Sequence, residues 1–144
     1  MKSKIISILV IVVTFFVAII RVTDNSEKII LHWDFCGNIT SYGEKYLILI
    51  IPIISVLLYG LFLHYEKNPY KMSGISKISV TESNTMALVT YIRVIALLVL
   101  LLSLYVTTCA AQYLTLYPLL VTVVLLFIIA FYIYTRKKIR ANNR

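Results

Sequence analysis

The chain has 144 residues, 60% of them hydrophobic, and its mean hydropathy is +0.91, which excludes a soluble domain of this size because no single small core could hide so much apolar side chain. The formal charge of +8 points to nucleic acid only until its location is considered. Five of the fourteen Lys and Arg residues fall in 136–144, directly after the last apolar run, and the aromatic residues lie inside apolar runs and not among basic ones, so neither DNA nor RNA is an expected partner.

Four apolar runs, 5–20, 46–63, 94–111 and 114–134, contain no Asp, Glu, Lys or Arg. A helix needs roughly 20 mostly apolar residues to cross a hydrocarbon core of about 30 Å. The expected fold is therefore an all-α membrane protein: a bundle of four transmembrane helices forming a single integral domain, 1–144, in the lipid bilayer. The first run follows Lys2 and Lys4 as a signal peptide would. It is long for the apolar part of one, and no small-x-small cleavage site precedes Arg21, so an uncleaved first helix is expected.

The loop 21–45 comes next. Residues 29–36 alternate, with Ile29, Leu31, Trp33 and Phe35 on one side and Ile30, His32, Asp34 and Cys36 on the other. Period two over eight residues predicts an extended strand with its apolar side against the helix ends. Gly37-Asn38 suits a tight turn, and a return strand over 39–42 would complete a small β-hairpin, ordered by leaning on the helices. His32, Asp34 and Cys36 share a side, but three ligands from one short strand lack a distant fourth, and no metal or other cofactor is expected. In the second run, Pro52 falls within the first two turns, where it bends the helix slightly.

The loop 64–85 carries Lys67, Lys71 and Lys77 against Glu66 and Glu82. Thr81 is the expected N-cap of a helix that starts well before the third run, with Glu82 favouring its positive end. Arg93 then lies about three turns in and is expected to snorkel to the headgroups. The third and fourth runs are separated by an uncharged turn at Gln112 and Tyr113, with Pro118 in the first turn of the last helix, a tolerated position. Cys36 and Cys109 are read either as two unpaired thiols or as a disulfide on the outer side.

Charge sets the expected orientation. Lys2 and Lys4, the loop 64–85 and the tail are basic, whereas 22–44 holds only Lys28 against Asp24, Glu27, Asp34 and Glu44. Both termini are thus expected in the cytoplasm and the hairpin loop outside. Tyr46, Tyr113 and Tyr117 would mark one interface, and Tyr65, Tyr132 and Tyr134 the other. No carboxylate lies within a run, so neither an enzyme nor a proton-driven transporter is expected.

The stretch 32–45, HWDFCGNITSYGEK, resembles the signature of the SdpI-like bacterial membrane protein family, in its N-terminal domain of unknown function of the DUF1648 type. His32, Trp33, Asp34 and Gly37, then Tyr42, Gly43 and Lys45, fall on the signature positions, and Pro52 on a proline early in the next span. The likeness is best over about residues 5–70. The prolines that usually precede the His are replaced by 25–31, and Thr40 stands where an acidic residue is usual. The resemblance implies a multi-pass protein of the bacterial cytoplasmic (inner) membrane, acting in immunity to, or sensing of, a membrane-active peptide toxin, with those seven residues as ligand-contact candidates. It further implies a cytoplasmic regulator or another membrane protein as partner. The alternative is an accessory or structural subunit of a larger membrane complex.

Overall fold

The computed structural model describes residues 2–72 and 78–142; Lys77 of the basic loop, Arg144 of the tail and the Lys2 side chain lie outside the described residues. The elements are α1 (Lys2–Thr23), β1 (Lys28–Trp33), β2 (Ile39–Glu44), a 3-10 helix (Lys45–Leu49) that runs into α2 (Ile50–Lys67), the short α3 (Pro69–Met72), α4 (Glu82–Ala110) and α5 (Pro118–Asn142). Four helices, Ser3–Thr23, Lys45–Lys67, Glu82–Ala110 and Pro118–Asn142, are long and apolar enough to cross a membrane. The fold is thus an all-α membrane-type bundle carrying one two-stranded hairpin.

Helix α4 is the central element and packs on α1, α2 and α5. Leu88, Ile92, Ile95, Ala96, Leu100 and Thr107 are buried along it, a stripe with the three-and-four spacing of one helix face. Its start is capped as the sequence predicts: Thr81 Oγ1 accepts from the Asn84 amide at 3.2 Å, and Glu82 opens the first turn. Helix α5 leans chiefly on α4 and buries only Thr135 and Ile139 among its residues, leaving its other apolar faces to lipid. Inside the bundle, Ser55 Oγ of α2 donates to Ile51 O at 2.8 Å and is hydrogen-bonded to Ser103 Oγ of α4. Because Ser55 has spent its single proton on the carbonyl, Ser103 donates in the inter-helix bond, a polar link of the kind that holds helices together in lipid.

The helix that begins at Lys45 changes character at Ile50, two residues before Pro52. Proline has no N–H to give the carbonyl four residues back, at Ile48, and the backbone there is wound as 3-10 before it relaxes into α2. The fourth span starts at Pro118 and not at Leu114, a correction to the hydropathy reading. Helix α4 ends at Ala110, Gln112 turns left-handed with φ 65°, and the following residues run outside any helix. The Tyr105 hydroxyl holds them, donating to Thr115 O at 3.3 Å and accepting from the Tyr117 amide at 2.8 Å. Residues before a proline avoid helical backbone, so Pro118 takes the first helical position and hydropathy alone overshoots it.

At the end of the bundle where α1 begins and α5 finishes, Arg93 does not simply snorkel. Its Nη2 and Nε donate to Glu66 Oε1 at 2.7 and 3.2 Å, and Lys4 Nζ reaches the same oxygen at 3.1 Å. One carboxylate, with its side chain 12% exposed, ties α1, α2 and α4 together and separates two cations. Glu66→Gln is expected to lower the unfolding free energy by about 1–2 kcal/mol, since it removes charge-assisted bonds from partly solvated partners. Denaturant unfolding of the purified protein in micelles measures this, and Lys4→Gln should cost clearly less.

Candidate functional site

The hairpin forms at the opposite end of the bundle. β1 and β2 pair antiparallel, Lys28 with Glu44, Ile29 with Gly43, Ile30 with Tyr42, His32 with Ser41 and Trp33 with Ile39. The register slips on both sides of His32, leaving Leu31 and then Thr40 as extra residues. These bulges correct the expected apolar face. Ile29 is 1% exposed and Ile30 6%, whereas Leu31 is exposed at 46% and Phe35, beyond the strand, is fully exposed. Ile29 and Ile30 precede the bulge in regular register and so point to opposite sides of the strand. Both sides are covered there, Ile29 in the cluster with Ala18 and Ile48 and Ile30 in a cleft beside Trp33 and Gln112, whereas beyond Ile30 the extra residue breaks the alternation. Leu31 lies over Gly43: a Cβ there would stand 2.3 Å from Leu31 Cδ1 and 2.7 Å from its Cγ, so a side chain at 43 would displace the exposed leucine.

The turn spans Asp34 to Asn38 and is wider than the two-residue turn expected at Gly37-Asn38. Asp34 organises it. Its Oδ1 accepts from the amides of Cys36 at 2.9 Å and Asn38 at 2.8 Å, and its Oδ2 from Asn38 Nδ2 at 2.9 Å. Its backbone closes the loop, with Asp34 N donating to Asn38 O and Gly37 N donating to Asp34 O. A short acidic side chain bonded to amides just ahead is the Asx-turn device. Gly37 has φ +87°, and a Cβ there would meet Leu116 O and Pro118 Cδ at 3.0 Å, so glycine is needed both for the bend and for the close approach to the α4–α5 connection.

Docking onto the helices rests on polar and apolar contacts together. Ile29 sits in a cluster with Ala18 of α1, Ile48 of the 3-10 helix, and Ala110 and Ala111 at the end of α4, with Trp33 packed beside it. Burial of one such side chain is worth about 1.5–3 kcal/mol. Beneath the connection from α1 to β1, Arg21 is 7% exposed. Its Nη1 donates to Ser26 Oγ at 2.6 Å and Asp24 Oδ2 at 3.2 Å, and its Nη2 to Lys28 O at 2.7 Å. Gln112 Nε2 gives the same Lys28 carbonyl a second bond at 3.2 Å, so the left-handed residue after α4 reaches the hairpin's first strand.

Lys45 reaches back to the segment that follows α1: its Nζ donates to Asp24 O at 3.0 Å and lies 5.8 Å from the centre of the Tyr46 ring. The segment between α1 and β1 is thereby held from α1 by Arg21 and from the next helix by Lys45.

Of the seven signature residues, five hold the hairpin in place. Trp33 packs on the core cluster, Asp34 and Gly37 shape the turn, Gly43 admits Leu31, and Lys45 fastens the entry segment. His32 and Tyr42 are exposed on the strands, with His32 Nδ1 hydrogen-bonded to Thr40 Oγ1. His32, Asp34 and Cys36 do not converge, because both Asp34 oxygens are turned onto the loop; among the described residues no group of three His, Cys, Asp or Glu is placed to hold a metal ion. Cys36 is exposed and Cys109 buried, each a free thiol. Sequence reading missed Arg21 and Gln112. The local signal for Arg21 was Asp24 and Ser26 within the next five residues. Beside the hairpin, a cleft of about 280 Å³ is lined by Ile30, Trp33, Gly37, Ile39, Gln112 and Leu116.

This architecture is that of a multi-pass membrane-type helical protein with a hairpin fastened to one end. Residues 9–56, from within α1 through the hairpin to the opening turns of α2, match the family model described as a domain of unknown function, DUF1648. No curated protein and no solved structure matches the chain. The matched segment contains Arg21, the hairpin and Lys45, the unit whose contacts are described above.

Hydrogen bonds from Asn38, side chain and then amide, and from Cys36 hold the Asp34 carboxyl below its ordinary value of 3.8; Asp24 is lowered likewise by the Ser26 hydroxyl and amide and then by Arg21. A carboxyl with a depressed folded-state pKa stabilises the fold above its unfolded value and loses that contribution as pH falls through the folded value. Amide-exchange protection in 24–38 should therefore be level from neutral pH down to about 5 and decline below about 4. Gly37→Ala forces a side chain into left-handed backbone and should weaken hairpin docking by about 1–2 kcal/mol. Exchange at the β1 and β2 amides reads this loss, with the helices serving as internal reference.

Proposed function

We propose that this chain is a non-enzymatic, SdpI-like multi-pass protein of the bacterial cytoplasmic membrane, and that its hairpin, outside the cell, receives a membrane-active peptide in an immunity or sensing role. The observation that carries the reading is the outward side of the fastened hairpin. Among the described residues no strand lies on the far edge of β2, and Phe35, Tyr42 and His32 are exposed, as is Ile39 where it lines the cleft. An ordered strand edge with exposed apolar and aromatic side chains, held close to the bilayer, suits an extended or amphipathic peptide arriving at the membrane. The match of 9–56 to the DUF1648 model supports the family part of the proposal.

The charge distribution supports the orientation. Lys4, Lys67, Lys71, Arg93, Arg136, Lys137, Lys138 and Arg140 stand toward the end opposite the hairpin, against Glu66 and Glu82, whereas around the hairpin Asp24, Glu27, Asp34 and Glu44 outnumber Arg21, Lys28 and Lys45. Cytoplasmic flanks of membrane helices carry the excess of Lys and Arg. A cytoplasmic regulator or a second membrane protein would then meet the basic end.

In cells challenged with a cognate peptide, His32→Ala and Tyr42→Ala should accumulate normally yet lose protection, whereas Asp34→Ala should lose protection through hairpin disorder, visible as faster amide exchange. Full protection by both His32→Ala and Tyr42→Ala would refute the contact role. Reporter fusions after Asn25 and Pro69 should read outside and inside respectively, and an external signal at Pro69 would overturn the orientation.

A further inference from the structure

At the basic end of the bundle, α4 and α5 leave an open cleft of about 380 Å³ on their lipid-facing side. Its walls change chemistry along the helix axes. Ser83 in the first turn of α4 and Lys138 near the end of α5 line one end, while farther in Met86, Ala87 and Phe131 supply apolar surface between the hydroxyl-bearing Thr90, Tyr134 and Thr135. Phe131 is seven residues from Lys138, about 10 Å at 1.5 Å per residue. Tyr91 of α4 lies against Phe131 with ring centres 5.8 Å apart, which fixes the deep part of the cleft between the two helices. At the shallow end, Asn142 Nδ2 donates to Ser83 Oγ and to Asn84 Oδ1, both at 3.0 Å, so the helices are fastened there also.

We propose that this cleft seats one anionic phospholipid, with its headgroup phosphate on the Lys138 ammonium and the start of an acyl chain along Met86 and Phe131. Three observations select this occupant. The cleft faces lipid, because α5 packs chiefly on α4 and its remaining apolar surface is exposed. Its one charged lining residue, Lys138, stands at the shallow end and Met86 and Phe131 lie farther in, the order of a lipid's headgroup and chain. Its charge is complementary: Lys138 is exposed and makes no ion pair among the described residues, and Arg136, Lys137 and Arg140 add positive charge on the other faces of the same helix end. Of the two carboxylates at this end, Glu66 of α2 is already engaged by Lys4 and Arg93, and Glu82 opens α4 beside Ser83 but does not line the cleft. Basic side chains just outside a membrane helix attract anionic headgroups, and a cleft between two helices converts that attraction into a defined seat.

The test uses the full chain reconstituted in nanodiscs of phosphatidylglycerol and phosphatidylcholine with identical acyl chains, then released for native mass spectrometry. One phosphatidylglycerol should stay bound per chain, in about fivefold preference over phosphatidylcholine, the ratio set by about one charge near the surface. Lys138→Gln should abolish the preference, while Lys137→Gln, a neighbouring charge that does not line the cleft, should preserve it. Met86→Trp, which fills the apolar floor, should reduce retention of both lipids. Equal retention of the two lipids by the unaltered protein would overturn the proposal. So would a preference unchanged by Lys138→Gln, lost equally with Lys137→Gln, or retained in Met86→Trp, or a second copy of the chain bound in place of lipid.

Discussion

A guanidinium removed from water at the end of a membrane helix needs acceptors, and the Arg21 side chain finds them in the segment that follows it. Asp24, Ser26 and the Lys28 carbonyl are drawn back over the end of α1. That single constraint decides where β1 starts and which way it leaves the helix. With Lys28 fixed, Ile29 is delivered into the gap between Ala18, Ile48, Ala110 and Ala111. The polar clamp and the apolar plug are adjacent in sequence and reinforce one another: the plug excludes water from the clamp, and the clamp aligns the plug. A charge in this position is costly without partners and strongly directing with them.

The same carbonyl links the hairpin to the far half of the chain. Lys28 O accepts from Gln112, which is left-handed at the end of α4, and Gly37 lies against Leu116 and Pro118. The hairpin therefore bridges α1, the 3-10 entry to α2 and the α4–α5 connection, and it closes one end of the bundle. At the other end a carboxylate plays the corresponding part, with Glu66 joining α1, α2 and α4 through Lys4 and Arg93. Between the two ends the helices meet through apolar side chains and the Ser55–Ser103 bond. Polar contacts at both ends define helix positions that apolar packing in lipid leaves weakly specified.

The spans were legible in the sequence because charge-free runs of membrane length have no other stable solution for their backbone polar groups. Thr81 as a cap and the existence of a hairpin were legible too, each from a local rule about hydrogen bonding or periodicity. The bulges were not: nothing in the alternation of 29–36 shows that Leu31 will be an extra residue, since the register of β1 is set against β2 and not by its own residues. Arg21 was overlooked because a basic residue at the end of an apolar run reads as a membrane-edge anchor, and only its three-dimensional partners make it a clamp. The Glu66 network combines residues far apart in the chain, so no local pattern could announce it. For the signature loop, the sequence located the residues, and the structure separates the five that hold the hairpin from His32 and Tyr42, which are exposed on it.

The dependence of the hairpin on Arg21 is tested most directly by amide hydrogen exchange on the unaltered protein and on Arg21→Gln, both in the same micelles. Glutamine keeps a donor but lacks the fork that reaches Asp24, Ser26 and Lys28 together. The account predicts that protection falls throughout β1 and β2 in Arg21→Gln while the middle turns of α1 and α4 exchange as before. Hairpin protection equal in the two proteins would contradict it.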